Sequence, residues 1–267
     1  SLPCTRTQLF CTNFIAGFCL IVVPYLLNLI FSIIVIAANG FLGLLEWGPA
    51  FTGIGLHLLF FLAIYGVTIL AGMLTGNLVI HFLLDVLFLV IGPAVVATYS
   101  AAMSTFYSTF YLWGDSFERW LTYSSPAARY IAAGAAATPM GVRDTLLLVI
   151  FILAIFVLSW FLYRKRSSEG AGHAVVFRAF QPIIKYPLIF LGTLLFGLFF
   201  HSFGDNYGGW GWLFFGFICG AFIVSRIIEI ILAFDFRAIS KHWKGLVVFA
   251  VLFAGFITIQ LFDLTHF

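Results

Sequence analysis

Seven long apolar segments constrain the fold of this chain more than any other feature of its sequence. In lipid, a helix satisfies its backbone amides within its own segment, and about 20 apolar residues cross roughly 30 Å of hydrocarbon. We therefore predict an all-α integral membrane protein, a polytopic bundle of about seven transmembrane helices. The predicted spans are 11–38, 57–73, 78–100, 145–163, 186–203, 210–234 and 246–264.

The composition excludes a water-soluble protein and a nucleic-acid-binding protein. Of the 267 residues, 63% are hydrophobic and 9% are charged, whereas soluble domains are about half apolar and a quarter charged. The net charge of +3, from 13 basic and 10 acidic residues, provides no dense face for phosphates. The lipid bilayer is therefore the expected surroundings of the chain.

The basic residues predict the orientation of the spans. With seven alternating crossings, nine basic residues fall on one side and three on the other. The positive-inside rule makes the side with nine cytoplasmic. The nine are Arg6, Arg164, Lys165, Arg166, Arg178, Lys185, Arg237, Lys241 and Lys244; the three are Arg119, Arg129 and Arg143, near Asp115, Glu118 and Asp144.

The outer segment 101–144 is too long for a simple connection. Asp115 can cap a short helix that has Glu118 three residues later, and Pro126 ends that helix. The alanine-rich stretch 129–138 predicts a second short helix, so the segment lies at the outer interface or dips into it; a disordered loop is the alternative. The apolar face of the first helix consists of Phe117, Trp120 and Leu121.

The sequence carries no motif of catalysis or metal binding. It has no HExxH, GxSxG or GxxxxGK[ST] pattern, its six histidines include no i,i+4 pair, and its four cysteines form no CxxC. We therefore expect no catalytic residue, no metal and no cofactor in this chain, and no nucleotide site of its own.

Four ionisable residues lie inside predicted spans. His81 and Asp85 are four residues apart and share a helix face, and Arg226 and Glu229 are three apart. We hypothesise that Asp85 and Arg226 pair across the bundle. The alternatives are local bonding, with Arg226 bound to Glu229, and a proton relay through His81 and Asp85.

Three stretches resemble the membrane subunits of type-2 ABC exporters. SLPCTRTQLFCTNFIAGF at 1–18 is similar to the cytoplasmic stretch that joins their second and third helices. FLYRKRSSEGAGHAVVFR at 161–178 and EIILAFDFRAISKHWKGL at 229–246 resemble the bacterial permease group related to Ytr-type transporters. The resemblance covers most of the chain.

The resemblance implies a domain organisation. Residues 1–163 form the exporter core, with a cytoplasmic coupling segment at 1–10, and two helices are expected to precede Ser1. Residues 164–185 form a basic cytoplasmic loop, and 186–267 add three spans whose role the resemblance leaves open, because exporter cores end after six helices. The resemblance also implies that the outer segment 101–144 corresponds to the external re-entrant helices of these exporters.

The resemblance also implies partners. A permease of this class forms the translocation pathway with a second permease subunit, lies in the bacterial plasma membrane, and receives work from separate ABC ATPases that bind ATP. The segments 164–185 and 235–245 are then cytoplasmic. The expected ATPase-coupling residues are Leu2, Pro3, Arg6, Phe10, Phe236, Arg237, Lys241, Trp243 and Lys244.

One alternative function belongs to a different class. A membrane scaffold or sensor subunit that transports nothing could use the same helices to anchor partners. It differs from a permease in that changes at Arg6 and Trp243 would not alter the ATPase activity of the purified complex.

Overall fold

The fold is all-helical wherever the structure describes the chain. A computed structural model describes residues 5–107, 110, 115–136, 140–166, 176, 180–204, 209–233 and 243–262, and these residues include no strand. Seven of the described helices are long and apolar enough to cross a membrane. The predicted fold class is therefore confirmed.

The described residues form nine α-helices, and a 3-10 turn at Leu42–Leu44 lies between the first two. In chain order they are α1 Arg6–Ala38, α2 Trp47–Leu74, α3 Leu78–Phe106, α4 Asp115–Tyr123, α5 Pro126–Ala136, α6 Val142–Lys165, α7 Phe180–His201, α8 Gly209–Ala233 and α9 Trp243–Leu261.

Local signals explain where the first helix begins. The hydroxyl of Thr5 accepts from the backbone N–H of Gln8, and the Gln8 side chain accepts from the backbone N–H of Thr5. This capping box satisfies two backbone donors at the helix start. Pro24 and Pro93 lie inside α1 and α3 without ending them.

Two helices begin earlier than their apolar stretches. α2 starts at Trp47, ten residues before the predicted span, because Pro49 is tolerated in a first helical turn where no intrahelical N–H partner is needed. α7 starts at Phe180, six residues early. Lys185 was predicted in a loop and instead lies in α7.

The segment 101–144 contains the two predicted short helices. α4 begins at Asp115, which is thus the first helical residue rather than a preceding cap, and α5 begins at Pro126. Glu118 and Trp120 are exposed on α4, while Phe117 and Leu121 are half-buried. Two residues of the predicted apolar face, Phe117 and Leu121, are thus partly covered, whereas the third, Trp120, is not.

The chain divides into two compact units. Unit 1 comprises Ser1–Met73, His81–Val90 and Ser125–Glu169, and unit 2 comprises Leu74–Ile80, Ile91–Ser124 and Gly170–Phe267. The described core of unit 1 is built on Phe60, Ala63 and Leu148. The larger core of unit 2 contains Ile189, Leu194, Leu213, Phe217, Phe249, Phe253 and Ile257.

Candidate functional site

Three helix ends of unit 1 meet at a basic cluster. An Nη1–H group of Arg6, the first residue of α1, donates to the carbonyl oxygen of Arg166 just after α6 at 3.4 Å. Arg166 in turn donates from Nη1 to the carbonyl oxygen of Gly72, near the end of α2, at 2.9 Å. The start of α1 and the ends of α2 and α6 therefore lie at the same end of unit 1, as alternating crossings require.

Phe10 fixes the beginning of α1 to α6. Its side chain is 3% exposed, and its ring centroid lies 5.7 Å from that of Phe156 and 5.3 Å from that of Tyr163. Phe10 therefore packs inside unit 1, and its part in ATPase coupling stays a prediction. Leu2 and Pro3 lie outside the described residues.

His81 and Asp85, which were predicted to share a face of their helix, both contact Thr68 of α2. Oγ1 of Thr68 donates to Oδ1 of Asp85 at 3.0 Å, and Nε2 of His81 lies 3.0 Å from the carbonyl oxygen of Thr68. A Cβ built on Gly72 would lie 3.1 Å from the His81 ring, so glycine leaves the space that the imidazole occupies. Both side chains are thus held locally.

The charged residues of α8 find partners on its neighbours in unit 2. Glu229 forms an ion pair with Lys185 of α7, and the guanidinium of Arg226 lies 5.2 Å from the ring centroid of Trp243 at the start of α9. Arg226 is 5% exposed and Glu229 is 6% exposed. Asp85 belongs to the other unit, and its pairing with Arg226 stays a prediction.

The pairing of Lys185 with Glu229 was not predicted from the sequence. Lys185 was expected in a loop because the apolar stretch begins after it. The signal that could have placed Lys185 in the helix is Pro182, the third residue of α7, because a proline is tolerated in the first turn of a helix. The start of α7, the end of α8 and the start of α9 therefore share one end of unit 2.

Of the remaining predicted coupling residues, two are described. Trp243 is 49% exposed, and Lys244, the next residue of α9, is exposed. Phe236, Arg237 and Lys241 lie outside the described residues.

A glycine pair on α8 lets α7 approach closely. A Cβ built on Gly216 would lie 2.6 Å from the carbonyl oxygen of Phe196, and one on Gly220 would lie 3.1 Å from the Cα atom of Thr193. In lipid, close approach of this kind is a main source of helix association. The GxxxG spacing of these two residues is a sequence signal from which this contact could have been predicted.

Arg129 of α5 and Asp144 of α6 form the described ion pair of the 101–144 segment. Nη2 of Arg129 lies 3.6 Å from Oδ1 of Asp144 and donates to its carbonyl oxygen at 2.8 Å. The pair joins α5 to the first turn of α6. Arg129 is one of the three basic residues predicted on the outer side, and Asp144 is one of the acidic residues predicted near them.

Each unit contains a cavity. In unit 1, a cavity of about 580 Å³ lies between α2 and α5 and is lined by His57, whose Nδ1 is 3.0 Å from the hydroxyl oxygen of Tyr25. In unit 2, a cavity of about 890 Å³ lies between α3, α7 and α9. Its lining is apolar except for Thr98, Gln260 and two tyrosines.

Within the described part of the chain, no group of three or more His, Cys, Asp or Glu side chains is arranged to hold a metal ion. Comparison with protein-family models, with characterised proteins and with solved structures finds no match. The resemblance to exporter permeases therefore stays a prediction.

Proposed function

We propose that this chain is the membrane-spanning permease subunit of an ATP-driven exporter of the type-2 ABC class. It forms the translocation pathway with a second permease subunit and receives work from separate cytoplasmic ATPases. The sequence resemblance at 1–18, 161–178 and 229–246 supports the proposal. The seven apolar helices are consistent with it.

The observation that carries the proposal is the contact between Arg6 and the carbonyl oxygen of Arg166. A permease without its own nucleotide site must receive work through elements that contact the ATPase. In this chain, a displacement of the segment before α1 is transmitted to the end of α6 through that contact and through the buried ring of Phe10. The end of α2 is joined to the same point through Arg166 and Gly72.

The proposal also includes the orientation. The basic cluster of Arg6 and Arg166 in unit 1 faces the cytoplasm, as does the end of unit 2 that carries Lys185 and Lys244, because basic connections remain on that side. The membrane is the plasma membrane of a bacterium. Trp243 and Lys244 are the described surface residues of the second contact with the ATPase.

Purification of the complex from its native membrane tests the proposal. We expect a nucleotide-binding ATPase to co-purify, and we expect the Arg6→Ala and Lys244→Ala variants to lower the ATPase rate of the complex several-fold. The matched control is Arg143→Ala, an exposed arginine at the opposite end of α6, which should leave the rate unchanged.

Two results would contradict the proposed permease function. The absence of any nucleotide-binding protein from the purified complex would remove the source of work. An ATPase that co-purifies, but whose rate is indifferent to Arg6→Ala, Lys244→Ala and Trp243→Ala, would identify a scaffold or sensor subunit instead.

A further inference from the structure

The first helix, α1, is the least covered of the seven candidate spans. None of the residues in its most apolar stretch is buried, whereas every other span buries part of the corresponding stretch. The described ring contacts and hydrogen bonds that join α1 to α2 and α6 end at Tyr25, whose hydroxyl oxygen lies 3.0 Å from Nδ1 of His57. Within the described chain, no hydrogen bond or ring contact joins residues 26–38 to another helix.

A polar side chain lies in this uncovered part of α1. Asn28 is exposed, and it lies ten residues before the end of the helix at Ala38. Ten residues of helix span about 15 Å along its axis, and the hydrocarbon core is roughly 30 Å thick. Asn28 therefore lies near the middle of the membrane.

The side-chain amide of Asn28 bonds no residue that the structure describes. Asn39, at the end of the same helix, differs from it, because Nδ2 of Asn39 donates to the carbonyl oxygen of Val35 at 2.8 Å. An asparagine amide has two hydrogens to donate and an oxygen that accepts. Hydrocarbon contains no water to bond them, and an unbonded amide there is costly. The amide of Asn28 therefore needs a partner from another molecule.

Asn28 also lies on a regular exposed face of α1, which we call the α1 seam. Its residues are spaced alternately by three and four positions, and all are exposed: Ile21, Pro24, Asn28, Phe31, Val35 and Ala38. Residues with this spacing share one side of a helix. The same repeat lets two helices pack along their length, and a single asparagine within it fixes their register.

A second copy of this chain fits the α1 seam and the amide together. Copies of one membrane protein insert in the same direction, because the same basic residues orient each of them. Two α1 helices that meet are therefore parallel, and a two-fold axis along the membrane normal brings Asn28 of both copies to the same depth. The oxygen of each amide can then accept from the N–H of the other, whereas a lipid tail offers neither group.

We infer that α1 forms a parallel contact between two copies of this chain, in which the α1 seam packs against itself and the two Asn28 amides hydrogen-bond to each other. The contact does not depend on the proposed transport function, because it requires only two copies in one membrane. For the proposed permease, it makes the second subunit a copy of the same chain.

Disulfide cross-linking of the full chain in its native membrane tests where the copies meet. The native cysteines are first replaced by alanine; they are Cys4, Cys11, Cys19 and Cys219. With an added oxidant, we expect the Val35→Cys variant to form a product of twice the mass of the chain. The matched control is Ile34→Cys, which is also exposed and lies at a similar depth. It is about 100° away around the helix and should form little product.

A second measurement tests the amide itself. Counting of fluorophore-bleaching steps in liposomes gives the fraction of dimer at each protein-to-lipid ratio. Asn28→Leu should raise the protein density for half-maximal dimerisation about threefold to tenfold, the effect of hydrogen bonds between membrane helices. Asn28→Gln keeps an amide and should restore most of the dimer. Asn39→Leu, whose amide bonds its own helix, is the control and should change little.

Three results would overturn the inference. Equal cross-linking of the Val35→Cys and Ile34→Cys variants would show random collision. An unchanged dimer fraction in Asn28→Leu would show that the amides do not meet. A Val35→Cys product of any other mass would show that a different protein covers the α1 seam. None of these results bears on whether an ATPase co-purifies, so this inference and the proposed function fail separately.

Discussion

Several described contacts between helices of unit 1 run from a side chain to a backbone carbonyl of the neighbouring helix, whereas α7 and α8 of unit 2 meet at a close glycine contact and a buried ion pair. In unit 1, the hydroxyl of Tyr65 donates to the carbonyl oxygen of Phe14 at 3.1 Å, and Ser125 donates to that of Leu89 at 2.6 Å. In unit 2, Gly216 and Gly220 let α8 contact α7 directly, and Glu229 meets Lys185.

The difference is visible in burial. The described burial of α1 in unit 1 is confined to Phe10, whereas α8 in unit 2 buries seven residues, including Arg226 and Glu229. Lipid tails are as apolar as leucine, so apolar area alone does not bring membrane helices together. Packing and polar contacts must do so, and the two units use them in different proportions.

The largest effect expected from this comparison is at the ion pair of unit 2. Lys185→Met leaves the carboxylate of Glu229 buried without its lysine partner, which should lower the free energy of unfolding by about 3–5 kcal/mol. Unfolding in detergent by denaturant measures it.

The matched control for the ion pair is Lys244→Met, an exposed lysine of α9, which should change little. The double variant Lys185→Met/Glu229→Met should regain most of the loss, because it removes both charges. A double variant as unstable as the single one would mean that the lysine stem, and not the pairing, stabilises unit 2.

The next largest effect is at the glycine contact. Gly216→Val places a side chain against the backbone of α7, where the carbonyl oxygen of Phe196 cannot move aside easily. The free energy of unfolding should fall by about 3 kcal/mol. Gly211→Val in the same helix meets no atom within 4 Å and serves as the control; equal losses would show a helix-propensity effect and not close packing.

The smallest effect is at the polar contact of unit 1. Thr68→Val keeps the side-chain shape but removes the donor to Asp85, and should lower the free energy of unfolding by about 1.5 kcal/mol. Thr52→Val, whose hydroxyl bonds Gly48 in its own helix, is the control. A loss at Thr68 that exceeds the loss at Lys185 would reverse the comparison between the units.

The sequence predicted the described local structure well and the contacts between helices less well. The two short helices around Pro126 were confirmed, and His81 and Asp85 share one face of α3, because spacing within a helix fixes which residues share a face. The early start of α7 was missed because Phe180 and Lys185 lie before the apolar stretch. The burial of Phe10 could not be predicted, because it depends on Phe156 and Tyr163, which are distant in sequence.

The number of spans was determined by the sequence alone, because each membrane helix satisfies its backbone within one continuous apolar segment. The partners of the polar side chains were decided by the tertiary structure. Glu229 pairs with Lys185 and the amide of Gln260 meets Tyr107 because separate helices bring them together. The distance between helices depends on residues as small as Gly216, and no local pattern of hydropathy records it.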